Sequence, residues 1–227
     1  MILTHGANST KRNSPLPNDI IAIIQGDKQY GLSSIDRNNV SYNEVSGVLN
    51  EPVMDFRDDG TSIGVVRFLD SSVLSLFNNP SKSITMEVWS KVIGMDAGSG
   101  WGSPVLSPFS ETSIWNLGFA INYGNLDLRT FVNDVSSKTF SKTQSWLNDY
   151  HHFAVTLELN VNKFNVKFYV DGLKVDEASS VSPNSSDNFM VLFTTSKTLM
   201  SKIQFILWDG VKYTGEFTPP RIKYNLP

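Results

Sequence analysis

The chain has 227 residues, 40% of them hydrophobic and 18% charged, with a net charge of −3. That composition supports a packed core and argues against disorder. The absence of cysteine removes disulfides, thiol nucleophiles and cysteine zinc sites, and the lack of a basic block argues against nucleic-acid binding.

The first 19 residues are polar, and Pro15 and Pro17 favour extended backbone. No apolar segment of signal-peptide type follows Met1, and no run reaches the roughly 18 to 20 apolar residues of a membrane-spanning helix. The expectation is a protein made in a cytoplasm, without membrane insertion. Ile20 to Ile24 form a short apolar run that fits a buried or arm strand. Residues 1–24 are read as an extended N-terminal arm. Its Leu3, Ile20, Ile21 and Ile23, with Tyr224 of the C-terminal tail, are candidate assembly contacts.

Residues 40–56 hold connecting segments and a strand or two. Gly64 to Asp70 read as a strand, followed by the apolar positions Val73, Leu74 and Leu76. From Ser83 to Val92 the period is two: Ile84, Met86, Val88 and Ser90 alternate with Thr85, Glu87, Trp89 and Lys91. Residues 94–104 carry four glycines and Pro104, hence a long loop. Phe119 to Tyr123 and Asn125 to Val132 are two strands about a turn, and residues 133–145 read as another loop.

His151 to Leu157 and Phe164 to Val170 are strands. The latter leads into Asp171-Gly172, a pair suited to a type I′ turn with positive φ at both residues. Leu173 to Ala178 return, 179–188 are a loop, and strands follow at 189–194 and 201–208. No helix beyond two or three turns and no internal repeat is evident. Many short strands between Gly, Asn and Ser turns predict an all-β, two-sheet sandwich or jelly roll.

Four segments carry a family resemblance: Ile84-Thr85-Met86-Glu87-Val88-Trp89, Trp146 to His152, the hairpin Phe168 to Val175, and the ending Ile203 to Pro220. Together, over about residues 45–220, the chain resembles laminin-G-like (concanavalin A-like) jelly-roll domains. Its ending, Tyr213-Thr214-Gly215-Glu216-Phe217-Thr218-Pro219-Pro220, resembles that of such domains in tailed-bacteriophage virion proteins. The resemblance implies an antiparallel jelly roll over 25–220, a tail at 221–227, and a virion component in contact with other virion proteins, as a homo-oligomer. It implies binding of host-surface glycans, with two rivals: a decoration or assembly protein without ligand, and a glycan depolymerase.

An enzyme is not expected. Glycoside hydrolases need two carboxylates about 5 to 10 Å apart. The Glu-x-Asp-x-Glu strand of related glucanases is missing, for Glu87 stands alone on its strand and Asp127 has no acid two residues on. His151 and His152 lack a serine elbow or further metal ligands and read as structural. Sugar binding needs an exposed aromatic ring beside amide or carboxylate groups. Trp101 is the leading candidate, followed by Trp115, Tyr123, Asn133 and Asp134. Trp89, Trp146 and Trp208 are assigned to structure. No cofactor is expected, but the family leaves room for calcium, with Asp96, Asp134 and Asp187 as loop carboxylates.

Overall fold

The computed structural model describes residues 12–33, 35–38, 40–43, 53–57, 65–68, 70–78, 81–94, 103–109, 117–122, 126–132, 135–182, 189–193 and 199–226. In chain order its elements begin with β1 (Arg12–Ser14), β2 (Ile20–Gln25), β3 (Lys28–Tyr30), β4 (Ile35–Asn38), β5 (Val40–Asn43), β6 (Val53–Arg57), β7 (Val65–Phe68) and α1 (Ser71–Asn78). Next come β8 (Ile84–Gly94), β9 (Ser103–Phe109), β10 (Leu117–Asn122), β11 (Asp127–Val132), β12 (Val135–Ser141) and α2 (Gln144–Leu147). The chain closes with β13 (His151–Asn160), β14 (Lys163–Val170), β15 (Leu173–Val181), β16 (Phe189–Phe193), β17 (Leu199–Asp209) and β18 (Ile222–Tyr224).

Two sheets face each other. One runs β12-β11-β10-β9-β16-β7-β4; the other runs β15-β14-β13-β8-β17-β2-β3, with β6 also on β17 and β5 on β6. Pairing within both sheets is antiparallel. The two-residue alternation decides the faces. Met86, Val88, Phe153, Val155, Phe168, Phe205 and Leu207 point inward to meet Phe119, Ile121 and Leu128 of the other sheet. The Phe119 ring packs edge-on to Phe153 and Phe168, at 5.3 and 5.5 Å between centroids.

The hairpin β14–β15 has the expected turn, with φ of 51° at Asp171 and 82° at Gly172. Residues 72–76 fold as part of α1, two turns with Val73 and Leu76 buried three residues apart on one side. Asp70 starts this helix: its Oδ1 accepts from the Ser72 amide at 3.1 Å, and its Oδ2 accepts from the Ser33 hydroxyl and amide. Those hydroxyl and amide donors hold the Asp70 carboxyl well below the usual range. The loop expected at 133–145 contains β12, an edge strand whose polar face hid it, and the first turn of α2, capped by Thr143 Oγ1 on the Trp146 amide at 3.2 Å.

The arm and the tail depart most from expectation. The boundary placed after residue 24 falls inside β2, an integral strand of the larger sheet. Ile20 and Ile23 are buried against Ile206, Trp208, Tyr224 and Leu226 of the same chain, and Ile21 packs on the main core. These residues are therefore internal contacts, because the tail folds back over the sheet's outer face. Leu3 lies outside the described residues. β18 pairs in parallel with β1, and two buried glutamines hold it down. Gln25 accepts from the Tyr224 amide at 3.1 Å and donates to its carbonyl at 2.9 Å, while Gln204 donates to Gln25 Oε1 and to the Ile222 carbonyl.

Upstream, Tyr213 and Phe217 stack at 3.5 Å and lie over Tyr169 and His152. Phe217 thus lies over the outer face of the larger sheet. The Phe217 amide donates to the Gly172 carbonyl at 3.0 Å, and a Cβ at Gly172 would stand 1.8 Å from the Phe217 carbonyl oxygen. Gly172→Ala is expected to lower stability by about 3 kcal/mol in a thermal or urea melt, through positive-φ strain and this collision. Gly172→Asn, which tolerates positive φ, is expected to be no better, because the collision persists.

Candidate functional site

The larger sheet's outer face carries the acid on β8, but the tail seals it. Glu87 is 3% exposed. Its Oε2 accepts the Tyr213 hydroxyl and lies 3.3 Å from His152 Nε2. Burial, followed by the Glu87 charge and hydrogen bond, pushes the Tyr213 hydroxyl far above its ordinary value. The Trp89 indole donates to the Pro220 carbonyl at 3.2 Å, and the Tyr169 hydroxyl to the Tyr213 carbonyl. This cluster joins tail to sheet and offers no opening to a substrate.

The histidine pair is likewise built into the fold. His151 stacks on Trp146 with 3.7 Å between centroids, and its nitrogens face Asp171 Oδ2 at 2.6 Å and the Trp146 carbonyl at 2.8 Å. Burial opposes the Asp171 charge, yet the bonds from His151 and the His152 amide prevail and lower its pKa. Lys142 Nζ lies 4.5 Å from the Trp146 ring centroid, so that ring already has a cation and an imidazole as neighbours. Trp89 and Trp208 are buried.

The smaller sheet presents a different outward face. Leu128 points into the core, so Asp127 and Arg129 on either side point out. Register places Asp127 beside Ser141, Arg129 between Ala120 and Thr139, and Phe131 beside Gly118. Ser141 Oγ donates to Asp127 Oδ1 at 3.2 Å. Arg129 Nη2 stands 3.8 Å from Asp127 Oδ2, and the Arg129 Nε–H is buried without a hydrogen-bond partner. A buried donor left unpaired typically costs about 1–3 kcal/mol. Asp127 is 7% exposed and the Arg129 side chain 29%, so the row presents a partly exposed guanidinium with unused donors, backed by a largely covered carboxylate and flanked by the Ser141 and Thr139 hydroxyls.

The five residues expected to bind glycan (Trp101, Trp115, Tyr123, Asn133 and Asp134) lie outside the described residues. Sequence reasoning weighed Asp127 only as a catalytic acid and passed over Arg129. Asp96, Asp134 and Asp187 are also outside the described residues, and among the described residues no group of three His, Asp or Glu side chains forms a metal site.

The sandwich and its faces define a lectin-type jelly roll. The profile of the concanavalin A-like lectin/glucanases superfamily matches residues 68–210, well over half of the chain, and the chain belongs to that superfamily. No curated protein matches the sequence at a significant level. Among solved structures, the binding domain of botulinum neurotoxin DC in complex with rat synaptotagmin II superposes with TM-score 0.59 at 15% identity, covering 86% of this chain and 49% of the other. This chain therefore spans about half the length of the neurotoxin binding domain it matches.

The protein of unknown function SO2946 from Shewanella oneidensis MR-1 gives TM-score 0.55 at 15% identity, covering 87% and 89%. The Ca2+/Man2-bound VIP36 exoplasmic/lumenal domain gives 0.52 at 12% identity, covering 87% and 90%. At these identities the likeness is one of fold. The similar structures also include enzymes, a Trypanosoma rangeli sialidase and the catalytic domain of a glycoside hydrolase family 131 protein from Coprinopsis cinerea.

Proposed function

We propose that this chain is a non-catalytic glycan-binding module whose ligand lies on the outward face of the smaller sheet. The observation that supports this most is the row of Asp127, Arg129 and Ser141, which supplies acceptor, donor and hydroxyl on one face of a lectin-superfamily sandwich. Sugar hydroxyls are bound by such mixed polar sets. The Man2-bound VIP36 domain and botulinum neurotoxin type C, whose cell entry is dependent upon interaction with two ganglioside molecules, lend support by fold. Against hydrolysis stands Glu87, sealed behind Tyr213 and so unable to meet a glycosidic bond.

The module's place in this proposal is a tailed-phage virion, in several copies beside other virion proteins. Its support is the resemblance of the Tyr213 to Pro220 ending, a segment that in this chain serves closure of its own sheet. Multiple copies would raise weak sugar binding by avidity. The chain is then expected in gradient-purified particles of the source virus, and its absence from them removes that placement.

The binding itself is tested on an array of bacterial surface glycans, with and without calcium, using the intact protein, Asp127→Ala and Trp101→Ala. Selective binding that falls about tenfold or more in Asp127→Ala, with the melting profile kept, is the expected result. A folded protein that retains no glycan would instead favour the ligand-free structural role.

A further inference from the structure

We infer that the ligand of this face is an acidic glycan, and that Arg129 recognises its carboxylate or sulfate. The inference rests on the glycan-binding reading above and narrows it to a chemical class. A guanidinium presents five N–H donors in a rigid fork that matches two oxygens of one oxyanion. In this chain that fork is hardly used. The Nε–H is buried without a partner, Nη2 stands 3.8 Å from Asp127 Oδ2, beyond hydrogen-bond length, and the side chain is 29% exposed, so the outer N–H groups of the fork are the ones a ligand meets.

The neighbours in register, Ala120 and Thr139, are small, so no long side chain in the row competes for the fork. Lys138, adjacent on β12, is turned to the Val175 carbonyl at 2.9 Å and does not join Arg129 in a general cationic patch. A neutral hydroxyl would satisfy one N–H of the fork, whereas a carboxylate or sulfate takes two in parallel and adds charge.

Asp127 sets a limit on what is accepted. It holds negative charge on one flank of the guanidinium, so an oxyanion docks on the opposite flank, while the 11% of the Asp127 side chain that is exposed leaves room for one hydroxyl from the same or the next sugar ring. The ligand so described carries an acid group and a free hydroxyl within one or two residues, as uronic-acid and sulfated polysaccharides do. A bare polyanion meets repulsion from Asp127.

The test uses the intact protein, titrated calorimetrically with oligogalacturonate, sulfated dextran oligomers and neutral dextran oligomers, at low and physiological salt. Arg129→Gln and Arg129→Lys are measured alongside. At least one acidic series is expected to bind and neutral dextran not. The two acidic arms separate carboxylate from sulfate. Arg129→Gln is expected to weaken binding about tenfold or more, and Arg129→Lys to recover only part of it, because lysine keeps the charge and loses the fork. If the glutamine variant melts early, the lysine variant carries the comparison.

Acidic binding that is unchanged in both variants, or neutral glycans bound as tightly as acidic ones, overturns the inference and leaves the glycan-binding reading standing. A folded protein that binds no member of any series, here and on the wider array, removes both.

Discussion

A chain ending at Gly210 is expected not to fold. Removing residues 211–227 strips the outer face of the larger sheet, where Ile23, Ile206, Trp208, Ala154 and Tyr169 are buried against the tail. Fully burying one such large side chain contributes about 1.5–3 kcal/mol. Several of them together approach the whole stability of a domain, typically about 5–15 kcal/mol. The deletion also leaves Glu87, Gln25 and Gln204 without the Tyr213 hydroxyl and the β18 backbone. Circular dichroism and chemical melts are expected to show loss of the cooperative transition. Phe217→Ala, which keeps the chain length, is expected to lower stability by about 3 kcal/mol in the same assay. A truncated protein that melts with the midpoint of the full chain would show that the tail is an appendage.

Lys202 gives the second large effect. Its side chain is buried in the core with Nζ 5.5 Å from the Phe56 ring centroid, and desolvation brings its pKa down to about 7. The unfolded chain keeps an ordinary lysine near 10.5. Between those values the unfolded state binds a proton that the folded state does not, so stability rises as pH rises through this window. Below about pH 7 both states are protonated and the folded state carries the desolvation cost of the cation. Urea melts from pH 7 to 9.5 are expected to show a gain of about 3 kcal/mol from this group. The gain should vanish in Lys202→Met. Parallel pH profiles for the two proteins would mean that the amine is solvated.

The sandwich was legible because burial on one side of a strand writes a period of two into the sequence. Ile84 to Lys91 and Phe164 to Val170 show it, and Asp171-Gly172 marks the turn. β12 was hidden because an edge strand with a solvated face reads as Ser, Lys and Thr, like a loop. The arm and tail were misjudged for another reason. Ile20 to Gln25 is apolar on both sides, and Ile222 to Tyr224 is too short to show a period, so neither reveals what covers it. Gln25 and Gln204, the residues that tie them together, are 179 positions apart, and no local pattern joins them.

The candidate site was only half legible. Leu126-Asp127-Leu128-Arg129 does alternate, which by itself puts Asp127 and Arg129 on one outward face. What the sequence lacks is the register that sets Ala120 and Thr139 beside Arg129 and leaves its fork unmatched. The aromatic candidates Trp101, Trp115 and Tyr123 rest on residue type alone, since a loop aromatic carries no period that tells exposure from packing.

In the proposed function, ligand meets the smaller sheet and not the larger one. Backbone amide shifts of the intact protein, followed during titration with the best glycan from the array, test it most directly. The account predicts that perturbations gather on β10, β11 and β12, around Ala120, Arg129 and Thr139, while Thr85, Glu87 and Trp89 beneath the tail stay unmoved. Shifts confined to the tail and the outer face of β8, with β11 silent, would contradict it.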